Sequence, residues 1–250
     1  MRYDQGTCEH LHPRLRRELV REIFAAIPGR YDLLNRLLSA RRDVNWRRFA
    51  VERMRFFRTG RLLDLATGTA DLAVMAAKRH PRIRVVGVDI AREMMALGRR
   101  KVVKRGLSAR VTLVPGDAVA LPFGEGTFDV AAAAFGIRNI PEVLTALREM
   151  TRVVVPGGQV MVLEMHLPEE PLSRGLYLLY TKTALPVIVR GLADNPGAYR
   201  YLCDSIASFF SPREFGLLMS EAGLTAVRSH PLTLGLTYLH EGIKPPPPGC

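Results

Sequence analysis

Apolar positions along the 250-residue chain change their period twice. Between residues 14 and 60 they recur every three to four positions, at Leu15, Leu19, Ile23 and Ile27, and after Pro28-Gly29 at Leu33, Leu34, Leu37 and Leu38. That spacing predicts a helical N-terminal segment. From residue 61 short apolar runs take over, at 61–66, 83–89, 111–114, 128–135 and 159–164, with helical patterns at 70–79, 92–105 and 141–152. Strands alternating with helices imply a parallel sheet with right-handed crossovers, and burial on both faces explains why the strand runs are continuously apolar. Residues 168–210 leave that rhythm. They are apolar and aromatic, with Tyr177, Tyr180, Tyr199, Tyr201, Phe209 and Phe210, and read as a helical cover inserted over the strand ends. A helix at 212–222 follows, then strands at 224–230 and 234–240 joined as a hairpin by Pro231-Leu232-Thr233. The expectation is one domain over 1–250, with a disordered tail at the four prolines 245–248.

Composition narrows the classes. Apolar residues make up 48% and charged residues 24%, which excludes a wholly disordered chain. Three cysteines, Cys8, Cys203 and Cys250, lie far apart, without a CxxC or any Cys/His cluster of metal-ligand spacing. A reducing compartment and no metal are therefore expected. The N-terminus lacks an apolar signal core, and the longest apolar stretch, 176–192, is broken by Lys182, Pro186 and Arg190, so a cytoplasmic protein is expected. The net charge of +12 suggests an anionic partner, whether nucleic acid, acidic lipid or an anionic small molecule, or else serves solubility alone. Arg41, Arg42, Arg47, Arg48, Arg53, Arg55, Arg58 and Arg61 crowd one region, which reads first as a solvated helix face.

Three signals in order carry candidate chemistry. The first is the apolar strand Leu62-Leu63-Asp64-Leu65 running into Ala66-Thr67-Gly68-Thr69-Ala70-Asp71. Small side chains admit a ligand close to the backbone, and ligands of such sheets sit at the carboxyl ends of the strands. The turn lacks the GxGxxG of dinucleotide binders, so it suits an adenosyl ligand without a pyrophosphate, or is plain strand-to-helix punctuation. The second is Asp89, about twenty positions on, at the end of 83–89. It is placed to accept ribose hydroxyls, or to cap the following helix. The third is Gly116-Asp117-Ala118, with Leu121-Pro122-Phe123 after it, where an acid meets an adenine amino group and an apolar neighbour covers the ring.

This combination resembles class I S-adenosylmethionine-dependent methyltransferases, and more closely the UbiE/MenG family of quinone-biosynthesis C-methyltransferases. The resemblance spans roughly residues 20–244. It is carried by Tyr31-Asp32-Leu33-Leu34-Asn35, the 63–71 turn, Ala120-Leu121-Pro122-Phe123, Thr127-Phe128-Asp129, Phe135-Gly136-Ile137-Arg138-Asn139-Ile140 and Tyr199-Arg200-Tyr201-Leu202-Cys203-Asp204-Ser205-Ile206. Ala70 stands where many members have glycine, as it does in the menaquinone branch, and Phe210-Ser211 replaces a segment that commonly contains proline. The resemblance implies a Rossmann-like fold whose seven-stranded, mostly parallel sheet has an antiparallel last strand. It implies methylation of demethylmenaquinol in menaquinone biosynthesis, or of a benzoquinol precursor of ubiquinone. It places S-adenosyl-L-methionine against Thr69, Asp89, Asp117 and Ala118, with Gly68 shaping the pocket.

For the reaction, Arg138 is the candidate cation that favours an ionised quinol oxygen, and Asn139 the candidate that orients it. His166 and Tyr201 are secondary candidates, while Tyr177 and Tyr180 read as packing. A polyprenylated quinol needs membrane access, so peripheral contact with an anionic membrane at its inner face is expected, and a homo-oligomer is compatible with the reading. Competing readings are methylation of another lipid or small aromatic, and a basic nucleic-acid-binding protein or RNA methyltransferase. The aromatic residues cluster in the apolar cover rather than among the arginines, so no nucleic acid is expected.

Overall fold

The computed structural model describes residue 39, residues 41–183 and residues 196–247. The helical pattern expected over 14–38 lies outside the described residues. Helix α1 is Arg42–Arg53. Five strands follow, with a helix in every connection except that from β3 to β4: β1 Arg61–Leu65, α2 Asp71–Arg79, β2 Arg84–Asp89, α3 Arg92–Lys104, β3 Val111–Pro115, β4 Phe128–Ala134, α4 Val143–Val153 and β5 Val154–Met165. A 3-10 turn, Ile137–Asn139, separates β4 from α4. The 168–210 segment contributes α5 Pro171–Lys182 and α6 Pro196–Ala207, followed by α7 Pro212–Glu221, β6 Thr225–Leu232 and β7 Thr237–Ile243.

The strands form one sheet in the order β3-β2-β1-β4-β5-β7-β6. The first five are parallel, and β7 runs antiparallel to both of its neighbours. This is the mostly parallel, seven-stranded architecture that the resemblance implies. From β1 the order goes one way through β2 to β3 and the other way to β4. The β1/β4 junction is therefore the topological switch point, where such sheets open a crevice.

Side chains alternate across the sheet, as strand geometry requires. Leu62, Val130, Ala132, Met161 and Leu163 meet α1, α2 and α3 on one face. Leu63, Ala131, Ala133, Val160 and Val162 meet α4 and α7 on the other. Two buried polar residues fasten the segment after α1 to the sheet. Asp129 accepts from the backbone N–H groups of Arg58, Thr59 and Gly60 at 2.7–3.1 Å. Gln159 accepts from Arg55 N–H at 2.7 Å. Trp46 Nε1–H donates to Thr233 Oγ1 at 2.9 Å and ties α1 to the last hairpin.

Four local expectations are corrected. Helix α2 begins at Asp71 rather than residue 70, because Ala70 takes a left-handed conformation (φ 64°) at its N-cap. Strand β5 begins at Val154, not 159. Pro156-Gly157 resembles a turn, but a register shift between Phe128 and Val130 of β4 lets pairing continue past it. The hairpin turn falls at 233–236 instead of 231–233. Pro231 and Leu232 are paired with Tyr238 and Thr237, and a proline is tolerated there because β6 is the sheet edge. Helix α4 starts at Val143, two residues later than expected.

Candidate active site

A cleft of about 1040 Å³ opens over the carboxyl ends of β1, β2 and β4, at the switch point. Its floor is the 64–71 turn. Ala66 (φ 52°), Gly68 (φ 52°) and Ala70 (φ 64°) are all left-handed, as is Phe135 (φ 61°) at the end of β4. Such conformations cost on the order of 1–3 kcal/mol in non-glycine residues and gather where the surrounding structure enforces them. A close approach explains part of it: a Cβ on Gly136 would lie 2.5 Å from the Ala66 Cβ, so only glycine lets the β1 and β4 ends meet.

Every cofactor candidate from the sequence lines this cleft: Gly68, Thr69, Asp89, Asp117 and Ala118. Asp89 Oδ2 accepts from Gly68 N–H at 2.7 Å and Oδ1 from Ala91 N–H at 2.8 Å. It therefore ties the glycine turn to the end of β2. The N-cap of α3 is Ala91, so Asp89 is not the helix cap. Burial raises the Asp89 carboxyl above its ordinary range. Thr69 Oγ1 accepts from Lys101 Nζ at 3.0 Å, and Lys101 also pairs with Asp71. Asp117 turns the loop after β3 through Val119 N–H, 3.2 Å from Oδ1.

Arg138 and Asn139 are adjacent in the 3-10 turn but face different surroundings. Asn139 lines the cleft; Arg138 does not. Arg138 is buried behind the wall, ion-paired to Glu164, and donates to Phe135 O at 3.0 Å and Ser205 Oγ at 3.3 Å. It thereby fixes the strained end of β4. Asn139 Oδ1 accepts from the Tyr201 hydroxyl at 3.1 Å, which joins helix α6 to the turn. Burial raises the Tyr177 and Tyr180 hydroxyls, and neither lines the cleft.

His166 also lies away from the cleft, fully buried. Its Nδ1–H faces Phe210 O at 2.9 Å and its Nε2 faces His240 Nε2 at 2.9 Å. Because a carbonyl only accepts, Nδ1 of His166 carries the proton, Nε2 accepts from His240, and His240 Nδ1 accepts from Ser229 Oγ at 2.8 Å. The chain closes with both rings neutral. Burial lowers both histidines, His240 to about 3.

Two further cleft residues stand outside the cofactor-contact candidates: Asp64, which the sequence marks only as part of the strand running into the glycine turn, and Arg47. Asp64, the penultimate residue of β1, is 1% exposed and accepts from Thr67 Oγ1–H at 2.6 Å and Ala73 N–H at 3.1 Å. Burial pushes its carboxyl up to about 7. Arg47 belongs to the expected solvated arginine face, yet is buried at 7% exposure against the cleft. It bonds Asp43 at 2.6 Å and lies 4.9 Å over the Phe135 ring. The local signal is the i,i+4 pair Asp43/Arg47 beside Trp46, since a paired arginine is one that tolerates burial.

A profile of the ubiE/COQ5 methyltransferase family matches residues 13–244. The chain belongs to this family. The demethylmenaquinone methyltransferase of Thermus thermophilus is 44% identical over 223 residues, 89% of this chain and 100% of its own length. The ubiquinone/menaquinone biosynthesis C-methyltransferase UbiE of Geotalea daltonii is 40% identical over 228 residues, 91% of this chain and 97% of its own. Among solved structures, the S-adenosylmethionine-dependent methyltransferase SibL superposes with a TM-score of 0.62 at 24% identity, over 89% of this chain and 61% of that longer one. That likeness concerns the fold. Within the ubiE/COQ5 family frame, the cleft at the switch point is the place to seek the methyl-transfer site.

Proposed function

We propose that the protein transfers the methyl group of S-adenosylmethionine to a ring carbon of a quinol, demethylmenaquinol foremost, in menaquinone biosynthesis. The observation that carries this is the cleft's donor set, met in a chain 44% identical to a demethylmenaquinone methyltransferase over that protein's full length. Asp64, Asp71, Asp89 and Asp117 surround one open volume. Four acids suit a ligand bearing an ammonium, a sulfonium, ribose hydroxyls and an adenine amino group. Asp89, at the end of β2, suits the ribose, and Asp117 with Ala118 suits the adenine.

The bound donor supplies an electrophilic methyl on sulfur; the carbon–sulfur bond breaks as the carbon–carbon bond forms and the ring carbon then loses its proton. The protein's part is to align the reactants and exclude water. Asn139 is the proposed catalytic residue, directing its amide at a quinol oxygen. Arg138 acts as a positioning residue: Glu164 balances its charge, and its bonds hold Phe135 and the turn that carries Asn139. Peripheral contact with an anionic membrane supports delivery of a polyprenyl substrate. Among the described residues no helix is long and apolar enough to cross a membrane. Helix α5 exposes Leu172, Leu176 and Leu179 on one stripe, which suits an interfacial position.

A benzoquinol precursor of ubiquinone is a second reading, favoured by the double pathway in the Geotalea relative's name. The test is incubation of the purified protein with labelled S-adenosylmethionine and chemically reduced demethylmenaquinone, with a benzoquinol analogue in parallel. Label in the naphthoquinol is expected. Label in the benzoquinol alone would replace the substrate, and label in neither would refute quinol methylation.

A further inference from the structure

The cleft's charge is lopsided. Its described lining holds four carboxyl groups, Asp64, Asp71, Asp89 and Asp117, of which Asp71 is paired with Lys101 behind it, against a single lining cation, Arg47. S-adenosylmethionine carries one carboxylate of its own, and an anion beside these acids is costly in a half-enclosed site unless a cation meets it. The strand order fixes where that carboxylate falls. Asp117 follows β3 and Asp89 ends β2, so a nucleoside held there points the amino-acid end of the ligand across β1 toward β4. Arg47 waits at that end, beside Phe135.

Its guanidinium is prepared for an anion. Asp43 Oδ2 and Asp43 O both take Nη1, at 2.6 and 3.4 Å. Nε and Nη2 make no hydrogen bond among the described residues, and neither is among the side-chain atoms sealed from solvent without a partner. Arginine has five donors in a planar fork, so one edge is fixed by Asp43 while the other remains for a second carboxylate. The Phe135 ring beneath holds the plane in orientation.

We propose that Arg47 binds the methionine carboxylate of S-adenosylmethionine and sets the direction in which the amino-acid end lies. The assignment rests on the donor reading given under Proposed function. It places a residue of α1, outside the parallel sheet, in the ligand site, so the helix before β1 is part of the binding machinery.

The test compares equilibrium binding of S-adenosylmethionine with that of its decarboxylated form, by titration calorimetry. The unaltered protein is expected to prefer the carboxylate-bearing ligand by about ten- to a hundred-fold, the range of a charge-assisted hydrogen-bond pair. Arg47→Met is expected to abolish that preference and leave affinity for the decarboxylated form near its original value. A preference that survives in Arg47→Met overturns the assignment, as does equal loss of affinity for both ligands, which marks a purely structural role. Should Arg47→Met not fold, Arg47→Lys is read instead: a shorter cation without the planar fork is expected to keep a reduced preference, and an undiminished one overturns the assignment. If the unaltered protein binds neither ligand, the donor reading itself falls, and this inference with it.

Discussion

The Tyr201 hydroxyl donates to Asn139 Oδ1 across 3.1 Å, so a residue of helix α6 sets the amide of a residue on the cleft wall. With Oδ1 engaged, the amide nitrogen is the group turned to other partners. Tyr201→Phe keeps the ring packing and removes this bond. Turnover is expected to fall about five- to ten-fold, the worth of one buried hydrogen bond, with S-adenosylmethionine affinity unchanged. Steady-state methyl transfer and calorimetry together check it.

Arg138 and Glu164 form a buried pair, 3% and 0% exposed at the side chain. Arg138→Ala leaves a carboxylate buried without its partner, which costs about 3–5 kcal/mol of stability. Turnover is expected to fall strongly while the remaining folded protein still binds S-adenosylmethionine. The double variant Arg138→Met with Glu164→Leu is expected to recover stability but not turnover, as denaturant melts and rate assays will show.

Asp64 has an elevated folded pKa, about 7 against an ordinary 3.8. For a raised acid the stabilising protonated state is complete below the unfolded value and is lost as pH rises from 3.8 to 7. Above that window the buried anion costs on the order of 4 kcal/mol. Asp64→Asn keeps an acceptor for Thr67 and Ala73, and is expected to raise stability at about pH 8. A melting series from about pH 5 to about pH 8 reads the difference.

The same carboxyl makes ligand binding depend on pH. A cationic donor favours the ionised form, so affinity is expected to fall by about tenfold per pH unit below about 7 and to level off above it. Asp64→Asn should bind more weakly in mild alkali and lack this slope.

His240 and His166 work in the opposite sense. Their folded pKa values are depressed, so their contribution is present above the ordinary 6.5 and is lost as pH falls toward the folded value, about 3 for His240. Each unit costs about 1.4 kcal/mol per ring kept neutral. His240→Gln, which can still donate to His166, is expected to flatten the acid limb of stability between about pH 6.5 and about pH 4. Melts across that range check it.

Much of the architecture is legible because parallel strands advertise themselves. Leu62, Leu63 and Leu65, and Val85, Val86 and Val88, form short runs whose apolar side chains need cover on both faces. The order of Gly68, Asp89 and Asp117 along the chain is also their order across the cleft. What stays hidden depends on partners distant in sequence. Arg47 looks like its arginine neighbours until Phe135, far along the chain, lies under it. Asp64 becomes unusual only when the sheet and α2 shut out water. Pro231 reads as a turn residue unless its strand is known to be the edge. Arg138 and Asn139 are neighbours in sequence, and only the geometry of the 3-10 turn sends one inward to Glu164 and the other to the cleft.

Strand β7 lies between β5 and β6, and β6 reaches the sheet only through it. Synthesis delivers these strands in the wrong order for simple addition: β6 emerges first and has no edge to join until β7 arrives. During translation the parallel half is able to assemble around the cleft while β5 still presents an open edge. The last of these strands to be made is thus the keystone: the sheet stays unfinished until β7 links β6 to β5.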